Sequence, residues 1–152
     1  MTKKPSAFIT IFSAGITAGV LDITAAFVTW APQGIKPGQI LRGIASGLLG
    51  PKSFNGGWQT AALGAVFHFL IAFSAAAVFY AASGKLTFLT RRPILSGLLY
   101  GIAIYLFMYW VVMPLSAYHK PPFSVSATII AIVTHIVCVG VPISLVVRRY
   151  SG

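Results

Sequence analysis

The chain has 152 residues, of which 57% are hydrophobic and 8% charged; its formal charge is +10, and it has one acidic side chain. Soluble domains carry about a quarter charged residues, so this composition cannot build a solvated surface and points to a bilayer. The length has room for four spans and short loops in a single transmembrane domain, residues 1–152, with no soluble module.

The positive charge suggests nucleic acid, but the basic residues stand in small groups at the ends of apolar runs. That placement anchors helix ends at lipid headgroups and sets orientation, so membrane lipid is the expected partner and nucleic acid is not. Cys138 is the only cysteine, which excludes an intrachain disulfide, a cysteine zinc site and a covalently attached haem.

The first predicted span covers about residues 7–30 and ends at Ala31-Pro32. A long Gly- and Pro-rich connection follows. Within it, residues 38–49 carry Ile40, Leu41, Ile44 and Leu48 on one helical stripe, too short to span and suited to an interfacial helix. The segment after it, SGLLGPKSFNGG, is a turn back into the membrane, where Arg42, Lys52 and Asn55 could contact a headgroup or an anion. Gly43-Ile44-Ala45-Ser46-Gly47 lacks the glycine that the motif of intramembrane serine proteases requires, and Ser46 lies outside the spans.

The second span is about residues 58–82, the third about 93–115 and the fourth about 123–147, with Pro142 inside the last and expected to kink it. With both termini inside, Lys3, Lys4, Lys85, Arg91, Arg92, Arg148 and Arg149 face Lys36, Arg42, Lys52 and Lys120 across the membrane. Seven against four favours cytoplasmic termini. Gly15, Gly19 and Pro32 match Gly97, Gly101 and Pro114 at one constant offset, a weak repeat that suggests two related helical hairpins. The expected fold class is therefore all-α: four transmembrane helices in a bundle plus a short interfacial helix.

Ionisable residues inside spans are costly and mark either function or helix register. Asp22, the only acidic side chain, shares its helix face with Gly15 and Gly19. His68 shares one with Gly64, and Tyr105 follows Gly97 and Gly101. His135, in the fourth span, shares one with Thr128, Ala131 and Cys138. Small residues mark close helix approach, so the polar side chains are expected to point into the bundle. Counting from the inner ends, His68, Tyr105 and His135 lie about 20 Å deep and Asp22 about a turn further. The four could form one buried polar layer.

Three uses of that layer compete. In the first it fixes packing in a structural or accessory subunit, self-associated or part of a larger membrane complex. In the second it is a proton relay or small-solute pathway through Asp22, His68 and His135, since histidine changes charge near neutral pH. In the third His68 and His135 are the axial ligands of a b-type haem. No other cofactor or metal is expected. An enzyme is not expected either, because one carboxylate cannot supply two-carboxylate acid–base chemistry or a carboxylate-bridged metal site.

With AGVLDITAA around Asp22, IASGLLGPKSFNGG, LGAVFHFLIAF around His68 and HIVCVGVPISL from His135, the chain resembles a family of small bacterial inner-membrane proteins without an assigned activity. The resemblance implies four helices and a bacterial inner-membrane address. It carries over no catalytic residues.

Overall fold

A computed structural model describes residues 6–118 and 122–151. Lys3, Lys4 and Lys120, which enter the orientation argument, lie outside the described residues. Four helices are long and apolar enough to cross a membrane: Ala7–Gln33, Gly57–Ser83, Pro93–Leu115 and Val125–Tyr150. The protein is an all-α, multi-pass membrane protein whose spans pack as a bundle.

Helix α1 (Ala7–Trp30) starts at Ser6, whose hydroxyl accepts from the Ile9 amide at 3.3 Å, and closes in a 3-10 turn through Pro32. An N-cap of this kind satisfies an amide that has no partner within the helix. Helix α2 (Pro37–Leu49) has proline at its first position and stops at Gly50, whose φ of 62° suits a residue without Cβ. Helix α3 (Gly57–Ser83) is followed by a single turn, α4 (Phe88–Arg91), and then by α5 (Pro93–Phe107). The third span continues through a π-helical stretch, Met108–Val112, into α6 (Met113–Leu115). The fourth runs from α7 (Val125–Thr134) through a second π-helical stretch, His135–Gly140, to α8 (Val141–Ser151).

Both π-helical stretches end just before a proline, Pro114 in one case and Pro142 in the other. Proline has no amide hydrogen and its ring crowds the carbonyl four residues back, Trp110 or Cys138 here. A widened turn moves that carbonyl aside without breaking the helix. Pro142 was expected to kink the fourth span, and the helix around it is widened.

The spans pair as two hairpins. Helix α1 packs on α3, and α5 packs on the fourth span; the fourth span also touches α1. Glycines set both approaches. A Cβ on Gly19 would stand 2.7 Å from the Phe69 ring, and Gly15 faces Phe73. On the other hairpin, a Cβ on Gly101 would lie 2.5 Å from the Ile136 Cα, and one on Gly97 2.6 Å from the Val141 Cα. The glycines at matching positions therefore admit aromatic rings in one hairpin and backbone in the other. Gly64 admits α2, through the backbone of Leu41 and Ala45.

The hairpins join at the end of the bundle away from α2. Ala14, Ala18, Ala75, Ala76, Phe79, Val139, Ile143 and Val147 form a buried apolar cluster there. Hydroxyls near it are spent on backbone carbonyls: Tyr100 donates to Ala75 at 2.7 Å and Ser144 to Pro93 at 2.8 Å. Towards α2 the seams open and leave two cavities. The outer surface carries many exposed Leu, Val, Ile and Phe side chains, as a lipid-facing surface requires.

Candidate functional site: a polar cleft between the first and fourth spans

One cavity, of about 430 Å³, lies between α1 and the start of the fourth span. From α1 it is lined by Asp22, Ala26, Thr29 and Gln33, spaced by three or four residues so that they stack along one face. From the fourth span it is lined by Ser126, Ile130 and Thr134 on one row and Ala127, Ala131 and His135 on the next. Trp30 also lines it. The result is a ladder of amide, hydroxyl, carboxylate and imidazole groups descending about three turns from the α2 end.

Asp22 is half-buried, and no hydrogen bond or ion pair to it forms among the described residues. His135 is also half-buried. Its Nδ1 donates to the Ala131 carbonyl at 2.7 Å, which directs Nε2 away from its own helix. Tyr105, buried on α5, holds the imidazole edge-on with ring centroids 5.9 Å apart, and Tyr109 stacks on Tyr105 at 5.7 Å. The ring is placed in turn by the π-helical stretch that begins at His135 and rests against Gly101.

His68 occupies another seam. Its Nε2 donates to the Gly19 carbonyl at 2.8 Å, bridging α3 to α1, and its ring lies edge-on to Phe69. The four expected polar residues therefore divide. Asp22 and His135 share the cleft, Tyr105 backs the histidine, and His68 serves the α1–α3 contact. His68→Ala is expected to lower stability by only about 0.6–1 kcal/mol, the worth of one interhelical hydrogen bond. Unfolding in mixed micelles measures this.

The residues do not fit a haem held between two histidines. His68 Nε2, the ligating atom, is committed to Gly19, and of the two imidazoles His135 alone lines the cleft. No cluster of three or more His, Cys, Asp or Glu side chains able to hold a metal forms among the described residues.

Arg42, Lys52 and Asn55 belong to the α2 segment and line neither cavity. Lys52 and Asn55 are exposed, whereas Arg42 is half-buried with its Nε unpartnered. The cleft-lining Thr29, Gln33, Ser126 and Thr134 escaped the sequence reading. Their signal was the continuation of Asp22's own helical row, through Thr29 to Gln33.

The class of protein is thus a four-span α-helical membrane protein. No protein-family model, no curated protein and no solved structure matches the chain.

Proposed function

We propose that the protein is a small membrane carrier that binds an organic ammonium ion in the cleft, in exchange for a proton on Asp22. The observation that carries this is the Asp22 carboxylate lining the cleft with no hydrogen-bond or ion-pair partner among the described residues. A carboxylate at that depth needs a cation, a proton or water, because a bare charge in an apolar setting costs several kcal/mol. A register-fixing role for Asp22 would instead pair it with a neighbouring helix. Trp30 in the lining supplies an aromatic ring that can take a cation, and the hydroxyls of Thr29, Ser126 and Thr134 can replace part of its hydration. The apolar cluster at the far end supports a carrier over an open channel, since it closes the cleft on one side.

The role is one of binding, with no catalytic group assigned. The membrane we propose is the bacterial inner membrane, with the termini in the cytoplasm. Among the described residues Lys85, Arg91, Arg92, Arg148 and Arg149 stand at the closed end, against Lys36, Arg42 and Lys52 at the other. Self-association, or membership in a larger membrane complex, is part of the same proposal. A second copy packed against α1 and α7 would cover the cleft. The mass of the gently solubilised particle tests that part.

The experiment for the site is calorimetric titration of the purified protein with methylammonium, tetramethylammonium and tetraethylammonium. The expected result is saturable binding of at least one, weakening as pH falls and accompanied by proton release into buffer. Absence of binding across the series would overturn the reading.

A further inference from the structure

The second cavity, of about 690 Å³, is independent of Asp22. Its roof is the face of α2 that carries Ile40, Gly43, Ile44, Gly47 and Leu48. Its walls come from the spans: Phe67, Leu70 and Ile71 of α3, and Met108, Val112 and Met113 of the third span. A volume of this size with apolar walls and few polar groups is that of a small-molecule site. Here the walls are spans, so the cavity lies at membrane depth, where acyl chains are the surrounding medium.

The charge around it has one sign. Lys36 adjoins the lining residue Ile35, Lys52 lies two residues from the lining residue Phe54, and both lysines are exposed. Arg42, on the same short helix, leaves its Nε buried without a partner. The only acidic side chain of the protein, Asp22, lines the other cavity, so this segment has no internal counter-ion. Basic residues next in sequence to the lining of an apolar chamber match an amphiphile with a negative head and a hydrocarbon tail.

We propose that this cavity binds an anionic phospholipid, with an acyl chain beneath α2 and the phosphate at the lysines of the α2 segment. The helix is shaped for that occupant. Leu41 and Ala45 hold α2 to α3 at Gly64, while Gly43 and Gly47 leave the opposite side hollow. A Cβ added at Gly43, which lines the chamber, would meet nothing within 4 Å, so a side chain there starts into open space.

The test is native mass spectrometry of delipidated protein titrated with phosphatidylglycerol or phosphatidylcholine. The protein is expected to retain phosphatidylglycerol about tenfold more tightly than phosphatidylcholine. Gly43→Phe should remove most of that retention while the helical circular dichroism and the melting temperature stay at wild-type values. Lys36→Gln with Lys52→Gln should bring the two lipids to similar affinity while an acyl chain still binds. Equal retention of the two lipids by the wild type would overturn the proposal. So would undiminished phosphatidylglycerol binding by a folded Gly43→Phe protein. Should Gly43→Phe prove unfolded, Gly47→Leu carries the same test, because a Cβ there meets only the Ser116 Cβ at 3.7 Å.

Discussion

Asp22→Asn is expected to weaken ammonium binding by roughly thirtyfold and to remove the accompanying proton release while leaving the bundle folded. Asparagine keeps the size and the hydrogen-bonding oxygen of aspartate but removes its charge and its exchangeable proton. Removing one partner of a desolvated charge pair costs about 2–5 kcal/mol, and partial exposure of Asp22 puts the cost at the lower end, a loss of roughly thirtyfold in affinity. Stability should not fall, because no hydrogen bond or ion pair to the carboxylate forms among the described residues. A rise in stability is also compatible, since the substitution removes a charge held at membrane depth. Calorimetric titration beside a thermal melt reads both effects. Binding at wild-type strength in the variant would remove Asp22 from the site.

The second large effect is expected at Gly101. Alanine there would set its Cβ 2.5 Å from the Ile136 Cα and 2.8 Å from the His135 carbonyl oxygen, so a backbone must move. Overpacking of this kind costs about 1–3 kcal/mol. The contact lies at the π-helical stretch that positions the His135 ring, so cation binding should weaken along with stability. Gly43→Ala is the contrasting control. It is the same chemical change, made on a helix where the new methyl meets nothing, and it should be neutral or stabilising by up to about 1 kcal/mol through helix propensity. If both substitutions gave the same change in melting temperature, the close approach of α5 and the fourth span would not hold.

The spans were legible because each apolar run is punctuated by a residue with one clear meaning, such as Pro93 opening the third and Ala31-Pro32 closing the first. The short α2 was legible for a similar reason, since its apolar stripe stands alone in a Gly- and Pro-rich stretch. Asp22 and His135 were legible as costly residues on a small-residue side of their helices. Helical periodicity reports which face is small, however, and not which neighbour it meets or whether the seam opens. Small residues around His68 and His135 read alike, yet one ring closes a hydrogen bond to Gly19 and the other borders a cleft. That difference is tertiary: α1 and α3 close on each other at Gly19, whereas α1 and the start of the fourth span leave a cavity between them. Pro142 signalled a disturbance in the fourth span, but a kink and a widened turn leave the same mark in a sequence.

The central claim is that the Asp22 carboxyl faces a hydrated cleft, and infrared spectroscopy of the protein in lipid tests it most directly. Asp22 is the only side-chain carboxyl in the chain, so the difference from the Asp22→Asn protein isolates its band. The band is predicted to convert between carboxylic acid and carboxylate as bulk pH is changed, and to shift promptly on transfer to heavy water. A band that ignores bulk pH and stays unexchanged would mean a dry, enclosed carboxyl and would contradict the account.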